Sequence, residues 1–416
     1  MANPFIPGRG KDYCRGCNHP ELFSALDLGD LPIANELWQQ ESEVIEKFPL
    51  HLRICRRCGL GQVEDVVTPS RLFRDYRYLS SMSASFIEHA RVYATEIASI
   101  LKFKDEEWVL EIASNDGYLL QHFIDLGIHV LGIEPAENVA KVAIEKGIPT
   151  ESEFFGLAFA ASLLERSGYP RLIVANNVMA HVPDIRDFIS GLAKMAGPNT
   201  LISIENPSLM NFLEGNQFDT IYHEHYSYLT AHSVKVIAAE FGLELFEVEK
   251  INTHGGSNRY WLRLQEPVVQ SNGQVESSIS GEIDFGLFNV EAWGSFAARV
   301  ESTIHSFHDW LSHAHQEGRT VYGFGAAAKA STLINASRIE KDWIIGIADT
   351  SHEKQGRFMP VQGIPIISPE KMYEMNPTDI IIFPWNIKNE LVPLIRRKSA
   401  GNIRMWQVIP TLEMIS

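Results

Sequence analysis

Cysteine is scarce in this chain of 416 residues: only four are present, at positions 14, 17, 55 and 58. So small a supply excludes a disulfide-framework protein, and the lack of secretion features argues against disulfides in general. No run approaches the ~18 consecutive apolar residues of a membrane span. The opening residues Met1-Ala2-Asn3-Pro4-Phe5 have no signal-peptide character. These absences predict a cytoplasmic protein without a membrane partner. Positive charge is also in short supply, with 36 Lys and Arg against 52 Asp and Glu and a net charge of −16. Nucleic-acid backbones are held by clustered cations, so this balance argues against such a partner. The small basic patch at Arg53, Arg56 and Arg57 reads as a solvated face. Missing too is the G-x-G-x-x-G spacing that fits a dinucleotide pyrophosphate.

The four cysteines fall as Cys14-x-x-Cys17 and Cys55-x-x-Cys58. Paired knuckles of this kind bring four thiolates around one tetrahedral zinc, two from each tight turn. A redox dithiol is disfavoured, since two knuckles sharing one site leave no thiol spare. With sulfur in all four positions there is no opening for a substrate, so the expected role is structural.

The stretch Val109-Leu-Glu-Ile-Ala-Ser-Asn-Asp-Gly-Tyr-Leu-Leu120 organises the middle of the chain. It begins as an apolar strand, turns through small and polar residues to Gly117 and enters a helix. Such a turn offers unpaired N–H groups and close backbone approach, and Glu111 can accept from an amino or hydroxyl group. Glu134 ends the next apolar strand, His129 to Ile133, where an acid accepts from ribose hydroxyls. The order alone serves NAD or S-adenosylmethionine. S-adenosylmethionine carries no phosphate and tolerates the acid in Ala113-Ser114-Asn115-Asp116-Gly117, which favours the second, and the turn resembles motif I of class I methyltransferases with Ala113 and Asn115 in place of two glycines. Further strands end in Asn176-Asn177 and in Glu205-Asn206-Pro207, and a late antiparallel hairpin runs from Leu243 to Leu264.

Tyr222-His223-Glu224-His225-Tyr226 gathers groups that move protons near neutral pH. Were it extended, Tyr222, Glu224 and Tyr226 would share one face and the two histidines the other; were it irregular, that sorting would fail. It is not H-E-x-x-H, whose histidines stand four apart. In His254-Gly255-Gly256-Ser257-Asn258-Arg259, Arg259 pairs with a phosphate or sits on the surface of a hairpin turn. The polar stretch from Gln265 to Glu282 reads as a linker or extended loop, followed by a long helix from about Phe285 to Gln316. Val321-Tyr-Gly-Phe-Gly-Ala-Ala-Ala-Lys-Ala330 then repeats the strand, turn and helix. Gly323, Gly325 and Lys329 there suit an anion, unless the unit is a degenerate duplicate that only packs.

Taken in order, the cysteine pairs, the E-x-A-S-N-D-G turn, the Tyr-His-Glu-His cluster with H-G-G-S-x-R, and G-F-G-A-A-A-K resemble the sugar C-methyltransferases of deoxysugar biosynthesis. The type is that acting on nucleotide-linked 4-keto-deoxysugars, as in the tetronitrose pathway. The resemblance spans essentially the whole chain. It implies an α/β protein with a zinc-binding module at 1–75, a class I methyltransferase Rossmann-like domain at 76–265, and a second Rossmann-like domain at 266–416 that contributes to the sugar-nucleotide site. It also implies S-adenosylmethionine as cofactor and a monomer. Tyr76, His181, Tyr222, Glu224 and His225 match active-site positions of that family, and Glu111, Asn115, Gly117, Glu134 and Asn176 fall in its cofactor motifs. The implied reaction removes a proton beside a ketone. His225 is then the base, with Glu224 orienting it or sharing the proton and Tyr222, His181 and Tyr76 positioning the sugar. Rival readings are an O- or N-methyltransferase, a non-catalytic zinc-stabilised nucleotide-sugar-binding protein, and an NAD-dependent sugar enzyme.

Overall fold

The computed structural model describes residues 12–40, 46–64, 67–73, 79–253, 255–265, 273–360, 363–398 and 403–416. Tyr76, Tyr78 and His254 lie outside the described residues, and so does most of the chain around the expected boundaries at 75/76 and 265/266.

Three sheets order the chain. In the first, β1 (Leu22–Pro32), β2 (Lys47–Cys55) and β3 (Gly61–Gln62) form an antiparallel meander. The central sheet takes β4 (Trp108–Ile112), β5 (His129–Ile133), β6 (Thr150–Glu151), β7 (Leu172–Asn176) and β8 (Leu201–Pro207), all parallel. The short β9 (Ser227–Tyr228) leaves this sheet and pairs with β3, joining the first one. β10 (Leu243–Ile251) and β11 (Ser257–Leu264) return as the expected hairpin, giving the central order β10-β11-β8-β7-β4-β5-β6 with β11 antiparallel to both neighbours. β4 and β7 are apolar apart from Glu111 and the terminal Asn176, as strands covered on both faces must largely be.

The third sheet has the order β14-β13-β12-β15-β16-β17. Its strands are β12 (Val321–Phe324), β13 (Ile347–Ala348), β14 (Ile366–Ile367), β15 (Asp379–Ile382), β16 (Arg404–Gln407) and β17 (Glu413–Met414), and only β17 is antiparallel. In the central and third sheets alike the first strand lies between strands reached in opposite directions. A crevice opens at the carboxyl ends of such a switch point, β4/β7 in one case and β12/β15 in the other.

Part of the polar stretch expected as linker is helical: Gln274–Phe285 packs against β10. Its first side chain bonds both ways to Val248, Val275 is buried, and Glu282 caps the helix Ala231–Ala239 by accepting from Ala231 N and His232 N. Gly286, at φ +94°, ends the helix, so the long helix begins later than expected, at Val290, and runs to Gln316. Along it Trp293, Phe296, Val300, Phe307 and Leu311 are buried at helical spacing, in one apolar cluster with Leu50, Leu52 and Ile54 of β2, Phe212, and Val321 and Ile381 of the third sheet. The modules share this core.

Candidate active site

The four cysteines are buried, and their sulfurs lie within 4.8 Å of one another. Cys14 and Cys58 stand 3.6 Å apart at sulfur, as do Cys17 and Cys55. A tetrahedron with Zn–S bonds of about 2.3 Å has edges of about 3.8 Å, so this set fits a zinc ion. Cys17 N and Cys58 N point back at the first sulfur of their own knuckle, at 3.4 and 3.5 Å, which favours thiolates. These residues hold a structural Zn2+ with no position left for a substrate.

The zinc module does more than fold itself. β3 follows the second knuckle directly, and through β9 it fixes the chain immediately after His225. The same module grips the segment Tyr222–Tyr226 by side chains. Tyr226 donates to Val67 O at 2.9 Å with Arg15 over its ring, His223 lies against Phe48 and its carbonyl, and Asn35 donates from Nδ2 to Glu224 Oε1 at 3.0 Å. Between these anchors the segment turns, with His225 N donating to Tyr222 O at 2.9 Å. The strand-like sorting of faces therefore fails: Tyr222, Glu224 and His225 line the cleft, while His223 and Tyr226 turn to the zinc module.

That cleft, of about 1530 Å³, is bordered by all three modules. His181 and His225 meet in it edge to face, with ring centroids 4.7 Å apart, and Tyr222 lies over His225 at 4.0 Å. His181 Nδ1 is 2.8 Å from Glu224 O and His225 Nδ1 is 3.0 Å from Thr220 O. A carbonyl oxygen only accepts, so each Nδ1 carries a proton, and Nε2 is the basic nitrogen of either ring when it is neutral. Burial brings the His181 imidazole down to about 4, so it is neutral at physiological pH. Burial likewise pushes the Glu224 carboxyl up to about 6; Oε1 is held by Asn35, and Oε2 is buried with no partner among the described residues.

On the methyltransferase side the turn takes a form the sequence half conceals. Ala113, Asn115 and Gly117 all have positive φ, +54°, +50° and +77°, so Ala113 and Asn115 adopt the conformation of the glycines they replace. A Cβ on Gly117 would lie 2.1 Å from Ile148 Cδ1. Asn115 and Glu134 line the cleft, and Glu134 accepts from Asn115 N at 3.0 Å and Ala136 N at 2.9 Å. Burial outweighs those two bonds and leaves Glu134 at about 7. Asn176 also lines the cleft, its Oδ1 buried and without a partner among the described residues. Glu111 and Gly117 lie beneath, and burial, Glu134 and Asp116 push Glu111 well above the usual carboxylate range. Close backbone approach, an acid on the second strand and an orphaned amide oxygen fit an adenosyl cofactor.

Facing them, Gly325 (φ +88°) and Lys329 line the same cleft. Lys329 Nζ donates to Asn386 Oδ1 at 2.8 Å and sits 4.4 Å from the Trp385 ring centre. Gly323 is buried in β12 against Phe383, beside the cleft and not in it. Arg259 is likewise away from it, paired to Glu205 and Glu249 at 3.0 and 2.9 Å and stacked over Tyr93. Asn35 and the Thr220 carbonyl were not anticipated. The Asn35 contact spans 189 positions and the Thr220 contact uses main chain, so neither leaves a local pattern.

Comparison with known proteins places the chain. Family models match residues 14–73 as a zinc binding domain, 86–248 as a methyltransferase domain and 252–410 as the C-terminal domain of C-methyltransferases. The C-methyltransferase NovU of Streptomyces niveus is 31% identical over 97% of either chain. Several solved structures resemble part of it. The CcbJ methyltransferase of Streptomyces caelestis covers 42% of this chain and 90% of its own at 13% identity and a TM-score of 0.34. The magnesium protoporphyrin IX methyltransferase of Synechocystis PCC 6803 with bound S-adenosylmethionine covers 47% of this chain and 89% of its own at 13% identity and a TM-score of 0.33. At such scores these partial likenesses carry no argument. The full-length relative does, and this chain belongs to its family: it is an S-adenosylmethionine-dependent C-methyltransferase with a zinc-bearing N-terminal module.

Proposed function

We propose that the enzyme methylates the carbon beside the ketone of a nucleotide-linked 4-keto-deoxysugar. The observation that carries this reading is the pair of imidazoles, His181 and His225, each donating from Nδ1 to a main-chain carbonyl in a cleft bordered by both Rossmann-like turns. A carbon acid next to a ketone needs a base for its proton and donors for the oxygen that becomes charged. His225 takes the proton at Nε2, its Nδ1–H held by the Thr220 carbonyl. The electron pair of the broken C–H bond moves to the ketone oxygen, leaving an enolate. Tyr222 and His181 border the same space and steady the sugar. Glu224, which burial raises to about 6, accepts or returns a proton. The cofactor, when bound, supplies an electrophilic methyl group on a positively charged sulfur, which the enolate carbon takes.

Asn115, Glu134 and Asn176 hold the cofactor from the β4/β7 crevice, with Glu111 and Gly117 shaping the turn below. Lys329 and Gly325 face the nucleotide from the β12/β15 crevice. Gly323 supports that turn from behind, and Arg259 acts through Glu205. The divisions are placed at about 75 and 265, with β9 of the middle segment lent to the first sheet, and the enzyme works as a cytoplasmic monomer.

The test is incubation with a panel of dTDP- and GDP-linked 4-keto-deoxysugars and S-adenosylmethionine, read by mass spectrometry and NMR. A new methyl on carbon in place of a hydrogen is expected. A methyl on oxygen or nitrogen, or none across the panel, would contradict the proposed substrate.

A further inference from the structure

One side chain bordering the cleft has no structural occupation. Asn206, near the end of β8, is 1% exposed and lines the cleft, yet among the described residues neither Oδ1 nor Nδ2 has a hydrogen-bond partner. Turning the amide over changes nothing, since both ends are orphaned. A buried amide left unpaired carries a desolvation cost of roughly 1–3 kcal/mol per group, and such groups are rare unless a ligand completes them. Its neighbours Glu205 and Ser208 are by contrast engaged. Glu205 takes His89, Thr253 and Arg259, and Ser208 N bonds Gly256 O.

The location narrows the ligand. On one side Asn177 N bonds Glu205 O, tying β8 to the end of β7 where the cofactor residues stand. On the other, Ser208 bridges Leu229 and Leu209 N bonds Leu229 O, which ties the exit of β8 to the reactive segment. Asn206 thus stands between the cofactor turn and the chain bearing Tyr222, Glu224 and His225, where a methyl-accepting carbon has to lie. Asn177 Nδ2 and Ser227 Oγ, on those two flanks, are buried, unpartnered and on the cleft as well.

We infer that Asn206 is a substrate-contacting residue: its Nδ2–H donates to the ketone oxygen, and its Oδ1 accepts from a hydroxyl or amine on the adjacent carbon. An amide offers a donor and an acceptor about 2.3 Å apart, which matches a carbonyl beside an O–H or N–H group. The contact strengthens as the ketone oxygen gains charge, so it lowers the barrier to enolate formation and selects ketoses with a neighbouring hydrogen-bond donor. This inference rests on the proposed substrate class.

Two variants of the full-length zinc enzyme test it on whichever dTDP-linked 4-keto-deoxysugar the wild type turns over. Asn206→Asp replaces the donor by an acceptor, and Asn206→Leu removes both polar ends at nearly the same shape. Each is expected to lower kcat for methylation, and the rate of deuterium uptake beside the ketone without cofactor, by about 100-fold or more. The Kd for S-adenosylmethionine should stay within about threefold, and Asn206→Leu should melt no lower than wild type, because an unpaired buried amide has gone. Wild-type rates in both variants would overturn the inference, as would a weakened cofactor affinity with retained kcat or a lower melting temperature in Asn206→Leu. A wild type inert on every keto sugar would overturn the proposed substrate and this contact with it.

Discussion

Tyr222, Glu224 and His225 face one cleft because a turn, not a strand, carries them, and that turn is held by groups remote in sequence. The Thr220 carbonyl fixes the His225 tautomer, the Glu224 carbonyl fixes that of His181, and Asn35 takes up one Glu224 oxygen. The orienting group expected for His225 was the Glu224 carboxylate; in the structure His225 Nδ1 bonds the main chain at Thr220. Glu224→Gln should therefore leave turnover within about tenfold of wild type, with its loss growing as pH rises through about 6, where the native carboxyl ionises. A pH–rate profile checks this; loss of all turnover in Glu224→Gln alongside full turnover in His225→Asn would reverse the two roles. The residue types were legible in the sequence, as a cluster of titratable groups. Their facing was not, since it depends on contacts with Asn35, Phe48 and Val67 more than 150 positions away.

The strand–turn–helix at Val109–Leu120 was legible as an element, because an apolar run ending in small residues has few other outcomes. Its conformation was hidden, since Ala113 and Asn115 do not announce a left-handed backbone. Three residues at alternate positions take positive φ, and only Gly117 does so without steric cost. Ala113→Gly should raise stability by roughly 0.5–1 kcal/mol, relief of the left-handed strain being partly offset by a freer unfolded chain. Gly117→Ala should lower it by at least about 2 kcal/mol through backbone strain and collision with Ile148. Denaturant titrations of the two variants measure both effects. The helix Gln274–Phe285 was missed for a different reason. Its polar composition hid a single buried edge, where Val275 and Glu282 find partners only once β10 and the helix Ala231–Ala239 are in place.

Across the whole molecule the zinc site, the reactive turn and the third sheet form one assembly. Because β3 pairs with β9, loss of zinc should disturb the segment just after His225 as well as the knuckles. Cys58→Ser should bind no zinc and melt well below wild type, and it should lose methyl transfer even at temperatures where it stays folded; metal analysis with thermal melts decides. Stability should also depend on pH. Burial raises Glu134 and Glu282 to about 7 and Glu224 and Asp219 to about 6, so these groups hold protons in the fold that the unfolded chain releases near 4 to 4.5. Their contribution is complete below the unfolded values and is lost as pH rises through 6 to 7. For Glu205, burial acts upward but His89, Arg259 and Thr253 outweigh it and bring the carboxyl to about 2, so its contribution is lost only in strong acid. The ligand-free enzyme should melt lower at pH 8 than at pH 6, and Glu282→Gln should narrow that gap; equal melting temperatures would contradict the assignment. Order of modules, both crevices and the zinc knuckles could be read from the sequence. The strand that β9 lends to the first sheet could not, two residues being too few to show a period. The proposed reaction turns on proton removal from carbon by His225. The most direct measurement is deuterium uptake beside the ketone of an accepted 4-keto-deoxysugar in D2O without S-adenosylmethionine, for wild type and His225→Asn. Uptake by wild type that falls by about 100-fold or more in the variant is the predicted result; equal uptake in both, or none in a wild type that still methylates carbon, would contradict it.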